Sequence, residues 1–386
     1  MERVNLDVAA GWPLRAVARR ALSDALDLTD GDPQRPHAAG AMSRNLLEAA
    51  TATTAELLGA ADEDVVWTSG GTEAANLAVT GPVRAARDRG SSRRGLVVSA
   101  VEHSAVLDSA RRLAADGLAD LIEVPVDGAG VVGLAAVAAA VDDSTVAVHV
   151  QHANHEVGTL QPTHDVARLC REHGALLHVD ACQSVGQLGV TMGQSGADLL
   201  TFSAAKFGGP RGVGALVLGE RARVAAQLVG DDRQRGRRAG RLPVAAIAAA
   251  AVALDEAVAT MERDRSAREL VRRHLRDRLG AVEDVAVHGP LAEAHPGIVA
   301  VSALYVAGDA LADRLDDRGW AVASGSSCAV RSGEPPHVLV AMRSLTHGHL
   351  RISFGPDLDV ATADRFVADY AAVVSELRAQ SGRRTP

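Results

Sequence analysis

The sequence predicts an α/β fold with a mostly parallel central sheet and a smaller α+β unit towards the C-terminus. Three observations carry this. Short apolar runs alternate with helix-length segments, as strands covered on both faces require. Glycine-rich turns follow two of those runs, at 70–71 and at 208–214. The texture of the chain changes beyond the turn-rich stretch 230–243, where a helix-rich run gives way to mixed segments.

Taken in order, residues 42–60 place apolar side chains at helical spacing, and VVWT (65–68) reads as the next strand. Gly70-Gly71-Thr72-Glu73 ends that strand and opens a helix beginning AANLAV. Further strands are predicted at LVVSA (96–100), LIEVPV (121–126), TVAVHVQ (145–151), ALLHVD (175–180), LLTFSA (199–204) and GALVLG (214–219). In such a sheet the chemistry is expected at the strand ends. After the run to Leu279 come IVAVSALYV and LRISFG. We therefore expect a large domain over 13–255 and a small one over 256–386, the latter joined by residues 1–12.

A chain of 386 residues that is 47% hydrophobic is long enough to bury a large core. Its formal charge of -8 lacks the basic stripe of a nucleic-acid binder. The basic run from Arg233 to Arg241 reads first as a solvated loop and second as an anion-binding segment. Three cysteines make no disulfide framework and point to a reducing compartment. The N-terminus lacks the pattern of a secretory signal, and the alanine-rich stretch from Leu242 to Leu254 falls short of a membrane span. A soluble, cytoplasmic protein without a membrane partner is expected. No histidine and cysteine spacing makes a zinc site.

The chemistry begins with Lys206, which follows a strand and precedes FGGPRGVG, and with Asp180 at the end of ALLHVD. An amine able to form a Schiff base and a carboxylate able to hold a pyridine nitrogen protonated are the two groups that make pyridoxal phosphate (PLP) an electron sink. Gly71 and Thr72, between strand and helix, suit a phosphate, although alone they also read as a turn and cap. Ser203 can add a phosphate donor and Gln183 can reach a ring oxygen. His103, just past LVVSA, can stack on a planar ring and shuttle a proton. Cys328 lies in ASGSSCAVRSGEPP, a small, polar stretch expected to form an exposed, mobile loop from which a thiolate can attack sulfur. Cys170 and Cys182, in or beside apolar segments, are expected to pack as small hydrophobes.

The ordered series TSGGTEAANLAV, VEHSAVLDSA, ANHEVGTLQP, LLHVDACQSVGQL, DLLTFSAAKFGGPRGVGAL, RAGRLPVAAI, ASGSSCAVRSGEPPHVLVAM and LRISFG resembles the cysteine desulfurases of the PLP-dependent class V aminotransferase superfamily. The resemblance implies a fold-type I homodimer acting on L-cysteine, with each active site near the interface. It makes Lys206 the Schiff-base lysine, Asp180 the ring-nitrogen partner, Gln183 a ring-oxygen contact and His103 the stacking acid/base. Gly71, Thr72, Ser203, Asn154 and His155 complete the cofactor set, Arg351 clamps the substrate carboxylate, and Cys328 takes the sulfur as a persulfide. L-alanine is the second product, and a sulfur-acceptor protein is implied, with iron-sulfur cluster assembly among the destinations. A selenocysteine lyase, a C-S lyase, a biosynthetic aminotransferase-like enzyme and a non-catalytic scaffold remain as alternatives.

Four segments depart from the family pattern. Ala205 stands where a phosphate-binding histidine usually precedes the lysine. Arg238-Ala239-Gly240-Arg241 replaces Arg-X-Gly-Thr, so that Arg241 is expected to substitute for a threonine that reaches the partner subunit's phosphate. His155 replaces the second asparagine of Asn-Asn-Glu and is expected to face the ring oxygen. The entrance motif is Asp7-Val8-Ala9-Ala10-Gly11-Trp12-Pro13 instead of Asp-Asn-Ala-Ala-Thr-Thr-Pro.

Overall fold

The structure, a computed structural model, describes residues 3–325 and 335–380. Its strands are β1 (Val4–Asn5), β2 (Val65–Thr68), β3 (Gly95–Ser99), β4 (Asp120–Val124), β5 (Thr145–His149), β6 (Leu176–Asp180), β7 (Leu199–Ser203), β8 (Gly214–Leu218), β9 (Val285–His288), β10 (Ile298–Ala303), β11 (Trp320–Ala321) and β12 (His349–Ser353). Seven of them form one sheet in the order β2-β8-β7-β6-β5-β3-β4. β8 runs antiparallel to both neighbours, and the pairs from β7 to β4 are parallel. Of the parallel strands, β3, β5, β6 and β7 are largely buried, whereas β4 at the sheet edge is mostly exposed. β5, with TVAVH, is buried at every position.

β2 is antiparallel to β8, which is antiparallel to β7, so β2 points the same way as the parallel strands. The C-terminal ends of β2, β3, β5, β6 and β7 therefore open on one edge of the sheet. The residues that follow them are Gly70-Gly71, His103, Gln151 to His155, Asp180 to Gln183 and Ser203 to Lys206.

A second, antiparallel sheet has the order β12-β10-β9, and β1 pairs in parallel with β11 beside it. Leu6 packs in the core of this second unit, and Asp7 bridges to Ser353, which ties the N-terminal residues to it. The helix Val244–Gly280 links the two cores. Ile247, Leu254 and Ala257 pack under the large sheet, whereas Val271, Leu275 and Leu279 pack under the small one. No glycine or proline interrupts residues 244–279, so nothing local breaks the helix. Its apolar first half is long enough for a membrane by composition, but here it is a core helix buried by the sheet.

Candidate active site

A cavity of about 530 Å³ lies at the shared strand edge and is lined by Gly71, Thr72, His103, His155, Asp180, Gln183, Ser203, Lys206 and Arg351. Nine of the residues singled out from sequence are thus brought together, eight by five strands of the large sheet and Arg351 by β12 of the small one. Asn154 and Arg241 are not among its walls. Cys328 lies outside the described residues.

Lys206 closes a short 3-10 turn directly after β7. Its Nζ donates to the carbonyls of Ala9 at 2.6 Å and Ala10 at 3.1 Å. Burial lowers the ammonium pKa, against the opposing pull of Cys182, Asp7 and Asp180, which favours a free amine. Asp180 ends β6 and accepts at Oδ1 from the Cys182 amide at 2.9 Å and from the Thr201 hydroxyl at 3.4 Å.

His103 is the N-cap of the helix Ser104–Ala115, and its Nδ1 accepts from the Ala105 amide at 3.1 Å. In the neutral ring that bond leaves the hydrogen on Nε2, which is a donor. Burial lowers its pKa, with Asp180 opposing, so the ring is neutral near pH 7. His155 meets it edge-on at 5.1 Å between ring centroids, and His337 lies 6.2 Å beyond His155. His337 is fixed in turn by Nε2 donating to the Glu102 carbonyl at 2.9 Å.

The helix Gly71–Asp88 points its N-terminus into the cavity, and Gly70 provides no side-chain cap. The first-turn amides are therefore free for an anion. A Cβ on Gly71 would sit 2.7 Å from Cys182 Sγ and 3.3 Å from Ser203 Cβ, so this is a cradle that glycine keeps open. Glu73 secures the turn by accepting from the Ser69 amide at 2.7 Å, and Arg238 pairs with it at 2.9 Å.

Arg351, on β12, donates to Asp7 Oδ1 at 2.7 Å and to the His155 carbonyl at 3.1 Å. Its Nη1 also lies 3.6 Å from Glu156 Oε1. Burial pushes the Glu156 carboxyl up, but Arg351 and His349 prevail and hold it at about 2. Arg351 thus reaches the cavity already paired, and Asp7 is the partner that an incoming carboxylate must displace.

Among the described residues, three buried atoms on lining residues have no partner: Gln183 Oε1, His155 Nδ1 and Arg351 Nε. Gln183 Nε2 is held by the Ala9 carbonyl at 3.0 Å. An amine, a carboxylate, a neutral imidazole, an open helix N-terminus and three idle polar atoms around one cavity are the group set that PLP needs. The residues fit the cofactor.

Asn154 spends its amide elsewhere: Oδ1 accepts from the Glu156 and Val157 amides, and Nδ2 donates to the Val101 carbonyl at 3.2 Å. It shapes the turn that carries His155. Arg241 donates to the carbonyls of Thr29, Asp30 and Gly31 at 3.0 to 3.4 Å, away from its own chain's cavity.

One expectation is corrected. Cys182 does not pack as a small hydrophobe; it lines the cavity between Asp180 and Gly71, with its thiol pKa raised by burial and by Asp180. Cys170 is a core residue whose thiol is pushed up to about 12 by burial.

The aminotransferase class-V family model matches residues 4–366. The chain belongs to the class-V aminotransferase family. It is 36% identical over 360 residues to "Cysteine desulfurase IscS" of Salmonella arizonae, covering 91% of this chain and 88% of that protein. It is 33% identical over 356 residues to the protein of the same name from Dictyoglomus turgidum, covering 91% and 89%. Among solved structures it resembles one described as "NIFS-LIKE PROTEIN" with a TM-score of 0.89 and 28% identity, covering 97% of this chain and all of that one.

Seen as a class-V aminotransferase, the chain has site residues that sequence reasoning did not assign. Asp7 and Gln151 line the cavity, and His337 stands behind His155. Asp7 sits in the altered entrance motif and His337 directly follows the segment ASGSSCAVRSGEPP that holds Cys328. Both belong to stretches already marked, but pairing with Arg351 and His155 arises only in three dimensions.

Proposed function

We propose that this chain is a cytoplasmic cysteine desulfurase that takes the sulfur of L-cysteine, releases L-alanine and passes the sulfur from Cys328 to an acceptor protein. The observation that carries the reading is the convergence of Lys206, Asp180 and His103 on one cavity in a chain 36% identical to proteins named cysteine desulfurase. The net transfer moves one sulfur atom: the substrate C–S bond breaks, an S–S bond forms on Cys328, and a proton replaces sulfur on carbon. No external oxidant or reductant is required.

Bound in this cavity, PLP would supply an electron-withdrawing ring that lets the substrate's Cα–H ionise and its C–S bond weaken. Lys206 would hold the cofactor aldehyde, Asp180 its ring nitrogen, and Gln183 and His155 its ring oxygen. Gly71, Thr72 and Ser203 would hold the phosphate. Burial lowers the Lys206 ammonium pKa and so eases its deprotonation, and the Ala9 and Ala10 carbonyls hold the amine meanwhile. His103 Nε2 would take and return the proton once the ring gives up its Ala105 cap bond, so that Nδ1 carries the ring's own hydrogen. Arg351 exchanges Asp7 for the substrate carboxylate.

Gly325, at one end of the segment 326–334, lines the cavity, and His337 lies just past its other end in ring contact with His155. This supports Cys328 as the sulfur acceptor. In the homodimer we propose, Arg241 of one subunit serves the phosphate of the other. We also propose the division into a large domain over 13–255 and a small one over 256–386 joined by residues 1–12.

Alanine and sulfide release from L-cysteine is the test. The normal protein should produce both with a thiol present, and Cys328→Ala should lose persulfide formation while still holding the cofactor. Equal turnover by Cys328→Ala would reject Cys328 as the acceptor. Arg351→Ala should raise KM for cysteine about tenfold or more, as loss of a charge-assisted carboxylate contact demands.

A further inference from the structure

Beneath Asp180, three buried polar side chains on adjacent strands have no other assignment. His149 on β5 stands opposite His178 on β6, and Asp180 on β6 stands opposite Thr201 on β7. His178 and Asp180, two residues apart on one strand, share a face of the sheet. His149 Nδ1 lies 3.0 Å from His178 Nδ1, His178 Nε2 lies 3.0 Å from Thr201 Oγ1, and the Thr201 hydroxyl donates to Asp180 Oδ1 at 3.4 Å. All three side chains are fully buried.

The direction of these bonds is fixed by what is left over. Thr201 has one proton, and if it is spent on Asp180, the hydroxyl must accept from His178 Nε2–H. A neutral His178 then has a bare Nδ1, which accepts from His149 Nδ1–H. His149 Nε2, which has no partner, is left as a bare acceptor. The reverse order would bury an unpaired N–H at His149 and strip Asp180 of the hydroxyl. Burial lowers the pKa of both rings, that of His149 to about 3, so both are neutral in the folded protein.

We propose that His149, His178 and Thr201 form a one-way hydrogen-bond relay in which every donor points towards the Asp180 carboxylate. The relay positions Asp180 and keeps it an acceptor for the cofactor's ring nitrogen; His149, His178 and Thr201 are positioning residues that touch neither substrate nor cofactor. This function rests on the cofactor reading given above, whereas the bond direction does not.

Nitrogen-15 NMR of the histidine rings in the holoenzyme reads the direction without a mutation. The protons should sit on His149 Nδ1 and His178 Nε2; the opposite pair of tautomers overturns the relay, whether or not Lys206 carries the cofactor. Thr201→Val removes the hydroxyl at nearly constant volume and should weaken PLP retention about tenfold, while Thr201→Ser should restore it to within about twofold. Unchanged PLP affinity in Thr201→Val, with Lys206 still labelled by cofactor and borohydride, overturns the positioning role. A normal protein that takes no label on Lys206 overturns the proposal through its premise, and the tautomers tell that failure apart from failure of the relay.

Discussion

At the scale of single residues, His103 does two jobs that can be separated. Its Nδ1 caps a helix and its remaining nitrogen faces the cavity. Asparagine also caps helices well, so His103→Asn keeps the cap and removes only the ring. Turnover of cysteine should fall by about 10²–10⁴-fold, the usual worth of a positioned acid/base, with little change in thermal stability. A variant within threefold of normal kcat would remove His103 from the proton transfer. Most lining residues were legible because their types are distinctive beside strand ends. Cys182 was not, since a cysteine in an apolar stretch reads as a core residue. Only the approach of Gly71 places its sulfur in the cavity wall. Arg241 illustrates another limit: its charge suits phosphate, and nothing in the sequence reveals that it also donates to three backbone carbonyls of its own chain.

At the scale of elements, the predicted strands match the observed ones closely. Most are largely apolar runs bounded by polar or glycine residues, and burial on both faces makes the inner ones easy to read, whereas β4 lies largely exposed at the sheet edge. The turn from β2 into the helix Gly71–Asp88 is the element on which phosphate binding depends. Gly71→Ala should weaken PLP binding, because the added methyl meets Cys182 Sγ at 2.7 Å and Ser203 Cβ at 3.3 Å. An overpacking cost of about 1–3 kcal/mol is expected. Adding Cys182→Ala should recover part of it by removing the sulfur. Equal losses in the single and double variants, measured by PLP titration, would show that the two positions do not compete for space. The edge of the large sheet at β2 is closed by an unforeseen device. The Gln234 side chain accepts from the Trp67 amide at 2.6 Å and donates to the Trp67 carbonyl at 2.9 Å, as a neighbouring strand would. The charge-rich run around Gln234 reads as solvated loop because side-chain pairing with a distant backbone leaves no periodic trace.

For the whole molecule, the change of composition near residue 255 falls inside one helix, Val244–Gly280. Alanine-rich and charge-rich halves look like different regions because they face different cores, yet both favour helix. Leu275 lies in the second core, and Leu275→Ala should cost about 2–5 kcal/mol in denaturant unfolding. Buried neutral histidines also set the acid limit of the fold. Burial lowers the pKa of His149 to about 3 and of His155, His178 and His295 well below the ordinary value of 6.5. Because the unfolded chain binds these protons first, their contribution is complete above about pH 6.5 and is lost as pH falls towards the folded values. Each histidine withdraws up to about 1.4 kcal/mol per pH unit within that window. Glu156, held at about 2, adds its own loss only below its ordinary value of 4.5. Glu102, whose carboxyl burial raises well above its ordinary value, opposes this with one proton against those of four histidines, so denaturant midpoints should still fall between pH 6.5 and 5; a flat profile there would contradict neutral burial of these rings.

The central claim is that the Lys206 amine holds the cofactor in the cavity formed by five strand ends. Protein produced with ample vitamin B6, reduced with borohydride and mapped by peptide mass analysis measures this directly. A pyridoxyl phosphate adduct on the peptide containing Lys206 is the predicted result. An unmodified Lys206, or an adduct on another side chain, would contradict it.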